Sequence, residues 1–141
     1  SSKNKIWDYR MLVSESVARL KPIKFDLAVP IQNFVDLVID LEQKFLGKNL
    51  HRLILFGHIG DGNLHLNFIK NSEHSELEKI NHDDVYSIVF FHKGTLSAEH
   101  GIGTLKRESF LENAKRTKID FIKNNKIFFD KHNLLNPGKL I

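Results

Sequence analysis

Two histidines, His58 and His65, bracket an Asp-Gly pair in the segment Leu53-Ile54-Leu55-Phe56-Gly57-His58-Ile59-Gly60-Asp61-Gly62-Asn63-Leu64-His65-Leu66-Asn67-Phe68. An Asp-Gly pair between apolar runs predicts a hairpin, because a tight type I′ turn needs positive φ at both central residues. With Asp61-Gly62 at the turn, Gly60 faces Asn63, Ile59 faces Leu64, His58 faces His65 and Phe56 faces Asn67. Directly opposed residues on antiparallel strands share a face. One face then reads Leu55, Gly57, Ile59, Leu64, Leu66 and Phe68, which is a core face. The other collects His58, His65 and Asn67. Two opposed imidazoles are half a metal site, and neutral imidazole suits zinc, manganese, iron and copper alike. The same pair also reads as a partly buried, hydrogen-bonded structural pair, with Asn67 a strand residue facing solvent.

A third ligand separates these readings, and Glu99 is the candidate. It lies in Gly94-Thr95-Leu96-Ser97-Ala98-Glu99-His100-Gly101-Ile102-Gly103, where Gly94, Gly101 and Gly103 are expected to allow close backbone approach. The alternative makes Glu99 a solvated residue in the N-cap region of a helix near Lys106. Two His and one Glu without a thiolate leave coordination positions open, the pattern of a catalytic metal rather than a structural one. His51, His74, His82, His92 and His132 stand in polar or helical surroundings and read as surface or packing residues. Gly101-Ile102-Gly103 lacks the lysine-threonine pair of a phosphate loop. By composition alone Arg10 and Lys24 are surface cations.

The elements that must position these groups follow from periodicity. Ile6 to Leu20 has helical spacing, with Ile6, Tyr9, Val13, Val17 and Leu20 on one stripe and Pro22 beyond it. Phe25 to Val29 is a short strand closed by Pro30. Ile31 to Phe45 is a helix with Phe34, Leu37, Val38, Leu41 and Phe45 on one side and Gly47 past its end. Arg52 to Lys70 is the hairpin. Asn71 to Asn81 is polar and feeds a helix from about Ser75 to Phe91, with Leu77, Ile80, Val85, Ile88 and Val89 apolar. A short helical piece near Lys106 to Leu111 and a last helix from Ala114 to Lys131 precede Asn136-Pro137-Gly138, which ends regular structure. The expected architecture is α+β: a ferredoxin-like antiparallel sheet with helices on one face and a C-terminal helical tail.

Composition bounds the rest. The 141 residues make one domain with room for a real core, 41% hydrophobic and 27% charged. The absence of cysteine rules out disulfides and thiolate ligands and fits a reducing compartment. The net charge of +4 is spread over scattered lysines, so no nucleic-acid stripe is drawn. No apolar run has transmembrane length, and no signal peptide is visible.

Three motifs in order, His58-Ile59-Gly60-Asp61-Gly62-Asn63-Leu64-His65, then Ser97-Ala98-Glu99-His100-Gly101-Ile102-Gly103, then Leu135-Asn136-Pro137-Gly138-Lys139, resemble the C-terminal domain of FAD-linked oxidases. The likeness is to the D-lactate, D-2-hydroxyglutarate and glycolate dehydrogenases of the vanillyl-alcohol-oxidase type. It extends to Trp7 and Arg10 ahead of Lys24-Phe25-Asp26-Leu27-Ala28-Val29-Pro30 and so covers nearly the whole chain. The resemblance implies that His58, His65 and Glu99 bind a divalent metal (zinc, manganese or iron), that His100 is the catalytic base, and that Asn67, Arg10 and Lys24 contact substrate. Ser14, four positions after Arg10, is a looser match for a further substrate contact.

The resemblance also implies partners: a 2-hydroxy-acid substrate, and an FAD-binding domain that these 141 residues do not contain. The whole of residues 1–141 is then the C-terminal part of a substrate domain, expected to be inactive and colourless alone. A cytoplasmic location, or a peripheral one at the inner membrane, is the expectation. The expected reaction is oxidation of D-lactate or D-2-hydroxyglutarate to the 2-oxo acid, with a slight lean to the latter. Two alternatives stand beside it. One is a stand-alone metal-binding or interaction module without catalysis. The other is a ferredoxin-like nucleic-acid binder, which wants exposed aromatics on the sheet and finds only Phe56.

Overall fold

A computed structural model describes residues 2–46, 51–70 and 80–139. Gly47, His74, Leu77 and the proposed helix start at Ser75 lie outside the described residues. The elements run α1 (Ser2–Ala18), β1 (Ile23–Ala28), a 3-10 turn (Ile31–Asn33), α2 (Phe34–Phe45), β2 (His51–Phe56), a second 3-10 turn (Ile59–Asp61), β3 (Asn63–Lys70), α3 (His82–Phe91), α4 (Arg107–Asn113) and α5 (Arg116–Phe129).

The three strands form one antiparallel sheet in the order β1-β3-β2. With α2 between β1 and β2 and α3 after β3, this is the ferredoxin-like order. Where a fourth strand would flank β1 there is one antiparallel bridge, Ala28 to Thr95. The α+β class expected from the pattern is the class observed.

Strand alternation divides the sheet. Phe25 and Leu27 of β1 and Leu64, Leu66 and Phe68 of β3 are each at most 2% exposed. They pack with Leu37 and Leu41 of α2, Val85, Tyr86 and Val89 of α3, and Phe110 of α4. The stripe predicted for α2 is the one it buries. Helix α3 is described from His82, where the Asn81 side chain accepts the Asp83 N–H at 3.0 Å as an N-cap.

Two expectations are corrected. The hairpin does not turn on two residues: Phe56 pairs with His65 and Leu55 with Leu66, a register two residues away from the predicted one. The connection is the 3-10 turn, in which the His58 carbonyl accepts from the N–H groups of Asp61 and Asn63 at 3.0 and 3.2 Å. Gly62 has φ +67° and Asp61 is not among the positive-φ residues, so no type I′ turn exists. Ile59, assigned to the core face, sits in this turn and is 61% exposed. Gly62 is needed for a second reason: a Cβ there would fall 1.9 Å from the Val29 carbonyl oxygen.

Helix α1 forms, but its predicted stripe is covered only at Val13 and Val17. Of that stripe Ile6, Tyr9 and Leu20 are exposed, Val13 is half-buried and Val17 is buried. The helix borders the sheet face opposite the core, through Arg10, Val13, Ser14 and Val17. Among the described residues no helix is long and apolar enough to cross a membrane.

Candidate active site

The non-core face of the sheet is built of two rungs. Asp26, His65 and Phe56 lie across β1, β3 and β2, and Lys24, Asn67 and Ile54 lie across the same strands two residues on. Alternation alone puts all of these on one face. With α1 on one side and the Ser97–His100 loop on another, they enclose a cleft of about 630 Å³.

The cleft is lined by Arg10, Ser14, Lys24, His58, His65, Asn67, Glu99 and His100, so all eight side chains singled out from the sequence meet in one place. His58 comes from the turn after β2. Its Nδ1 lies 3.3 Å from Oε1 of Glu99, and that oxygen also accepts from Asn63 Nδ2 at 2.6 Å. Arg10 Nη2 donates to His58 Nε2 at 2.8 Å. A guanidinium only donates, so Nε2 is the lone-pair nitrogen and the proton of neutral His58 sits on Nδ1, facing Glu99. The His65 ring stands 6.4 Å from His58 and 6.5 Å from His100, centroid to centroid, and tilts against Phe56 at 5.2 Å. Asn67 is buried; its Nδ2 is taken by the carbonyls of Ile54 and His65, each at 3.2 Å, which leaves Oδ1 for a ligand.

The loop glycines serve the site in a different way from that expected. Only Gly94 is a close approach, since a Cβ there would fall 2.7 Å from the Ala28 carbonyl. Gly101 and Gly103 have open space around them and are required instead by their φ of +77° and +58°.

Two residues that sequence reasoning left without a role line the cleft as well, Asp26 and Lys106. Burial pushes the Asp26 carboxyl up. The N–H groups of Glu99 and His100, the Ser97 hydroxyl and the Lys106 charge outweigh that and hold it below the ordinary aspartate value. Burial brings Lys106 below the ordinary lysine value, partly opposed by Asp26. The signal for Asp26 was available: two residues after Lys24 in a strand, it shares a face with Lys24. Its loop partners were not visible, being some seventy residues away.

The donor set, two imidazoles and a carboxylate, has the chemistry of a divalent-metal site. Among the described residues, no three His, Asp or Glu side chains are drawn together closely enough to hold an ion. Both ring nitrogens of His58 already have partners, Arg10 and Glu99, so a cation taking His58 must displace one of them. Three cations, Arg10, Lys24 and Lys106, stand against two carboxylates, Asp26 and Glu99, and the cleft is suited to an anion.

Residues 1–140 match the family described as FAD linked oxidases, C-terminal domain. The chain is 32% identical over 137 residues to the mitochondrial D-2-hydroxyglutarate dehydrogenase of Rattus norvegicus, covering 96% of this chain and 25% of that protein. It is 30% identical over 142 residues to the D-2-hydroxyglutarate dehydrogenase of Stutzerimonas stutzeri, covering 96% and 30%. It is 33% identical over 147 residues to a Schizosaccharomyces pombe protein provisionally named a mitochondrial D-lactate dehydrogenase, covering 96% and 28%. The chain thus spans between a quarter and three-tenths of the length of these curated relatives. The motifs, the cleft they build and this match agree: the chain belongs to the FAD-linked oxidases and corresponds to their C-terminal domain.

Proposed function

We propose that this chain forms the substrate-holding part of a flavin-dependent dehydrogenase that oxidises a D-2-hydroxy acid, D-2-hydroxyglutarate or D-lactate, to the 2-oxo acid. The observation that carries this is the convergence of Arg10, Lys24, Asn67 and His100 on one cleft with His58, His65 and Glu99. Arg10 offers a planar fork for a carboxylate and Lys24 a point charge. Asn67 Oδ1 accepts a hydrogen bond, and Ser14 offers a hydroxyl at the α1 rim. His100, exposed at the mouth of the loop, takes the proton of the substrate hydroxyl as general base. His58, His65 and Glu99 would hold a divalent cation, which when bound lowers the pKa of a coordinated hydroxyl. FAD, held by a separate FAD-binding domain, supplies the acceptor for the hydride from the substrate α-carbon. The exposed apolar residues Trp7 and Met11 of α1 and Phe121, Phe128 and Phe129 of α5 are surfaces such a domain would cover.

The test is turnover by the flavin-containing enzyme with each acid, read by reduction of an artificial dye. Dye reduction that depends on His100 supports the proposal. No turnover with either acid, or undiminished turnover after His100→Ala, removes it. Zinc uptake without turnover would favour a binding module.

A further inference from the structure

Asp26 has no part in the roles given above, yet its two oxygens touch both halves of the cleft. Oδ2 accepts from Ser97 Oγ at 3.1 Å and from the backbone N–H groups of Ala98, Glu99 and His100 at 3.1, 2.9 and 3.1 Å. Three successive N–H groups converging on one anion form a nest. Oδ1 is buried, has no hydrogen-bond partner among the described residues, and lies 3.5 Å from Nδ1 of His65, its cross-strand neighbour. Buried acceptors nearly always find a donor, and an Nδ1–H on His65 is one placed to serve.

We propose that Asp26 is the positioning residue of this cleft: one oxygen fixes the loop that presents Glu99 and His100, and the other keeps the proton of His65 on Nδ1, so that Nε2 retains the lone pair. A carboxylate behind an imidazole sets its tautomer and ring orientation. Lys106 braces the same loop from its other end, with Nζ donating to the Leu96 carbonyl at 2.5 Å. The loop is therefore clamped by an anion on its N–H groups and by a cation on the carbonyl that leads into them. The meaning of this clamp for function rests on the proposed roles of His65, Glu99 and His100; its geometry does not.

The test is NMR of the metal-free 141-residue chain. Long-range ¹⁵N–¹H correlations report which ring nitrogen of neutral His65 carries the proton. Couplings across hydrogen bonds report whether the Ala98, Glu99 and His100 amides reach the Asp26 carboxyl carbon. The wild-type chain is expected to show His65 as Nδ1–H and all three couplings. In Asp26→Asn the amide oxygen goes to the loop donors and the NH2 group turns to His65. Nδ1 must then accept, and the proton moves to Nε2. Zinc affinity, measured by titration, falls about 10- to 100-fold in the same variant. A wild-type His65 found as Nε2–H, or an unchanged tautomer in a folded Asp26→Asn chain, overturns the assignment. If Asp26→Asn does not fold, the wild-type spectra decide: tautomer and couplings together support the role, and the loss of either overturns it. A wild-type chain that takes up no zinc but shows both signatures supports the role of Asp26 while removing the metal from the proposed function.

Discussion

The two faces of one three-stranded sheet are made from alternate residues of the same strands, and they obey different physics. Toward α2 and α3, Phe25, Leu27, Leu64, Leu66 and Phe68 are closed from solvent. Their requirement is volume, and the penalty for error is a cavity. Toward the cleft, Lys24, Asp26, His65 and Asn67 stand one residue out of phase with them. Their requirement is direction: which oxygen meets which N–H, and which ring nitrogen keeps its lone pair. A substitution on the first face should therefore change stability and leave chemistry in proportion to the folded protein. A substitution on the second should change chemistry in a protein that still folds.

The largest effect expected on the cleft side is that of His100. In the flavin-containing enzyme His100→Ala should lower turnover by about 10²- to 10⁴-fold, the usual worth of a placed general base. Its melting temperature and metal content should stay close to wild type, because the side chain is exposed and only its backbone N–H is bound to Asp26. Glu99→Ala should lose metal, and activity with it. Metal analysis beside the rate separates these neighbours; equal metal loss in both variants would merge their roles.

On the core side Leu66→Ala should cost about 2–5 kcal/mol of stability, because Leu66 is fully enclosed. Urea unfolding reads this directly. Activity per folded molecule should not change. A Leu66→Ala enzyme with normal stability would mean that the helix-covered face is not the load of the fold.

Lys24→Met comes next. It keeps the stem of an exposed strand residue and removes its charge, so stability should hold. A charged hydrogen bond is worth about 1.5–3 kcal/mol, so substrate affinity should fall by roughly one to two powers of ten. An unchanged KM for the 2-hydroxy acid would move carboxylate binding to Arg10 and Lys106.

The separation of faces was legible in the sequence even though the register was not. An error of two residues in pairing preserves strand parity, whereas an error of one would have turned every side chain over. Parity alone therefore puts His65 and Asn67 on the cleft side in either register. The turn was misread because an Asp-Gly pair satisfies both a two-residue turn and a 3-10 turn ending in a left-handed glycine. What selects the second is tertiary: the Gly62 carbonyl accepts the Val29 N–H at 3.0 Å, and Gly57 lies so near the Asn63 carbonyl oxygen that a Cβ would be 2.2 Å from it. The stripe on α1 failed in part for a related reason. Periodicity finds an apolar face but not what covers it, and Ile6 and Tyr9 are exposed here. The task of Asp26 is not legible in the sequence, since its four donors come from a distant loop.

The smallest effect, a bend in the curve of stability against pH, belongs to Asp26 and sharpens the comparison most. Of the core cluster only Tyr86 titrates, and burial and then the Asp83 charge push its hydroxyl up, away from the acid range. An acid-dependent contribution must therefore come from outside that core. Asp26 is held below the ordinary aspartate value. Between that folded value and the unfolded one, near 3.9, the unfolded chain binds more protons, so stability rises with pH. The contribution is complete above about pH 5 and is lost as pH falls through the unfolded value to the folded one. Asp130, at the end of α5, is also lowered, by its hydrogen bond with Lys126 and then, against the rise from burial, by the N–H groups of Leu135 and Leu134, and it acts in the same direction. Urea unfolding from pH 2 to 6 should show Leu66→Ala displaced downward with its slope intact. Asp26→Asn and Asp130→Asn should each flatten part of the acid limb, and the double variant more of it. A wild-type acid limb that survives both substitutions would place the acid sensitivity elsewhere and deny the nest its electrostatic share in holding the loop.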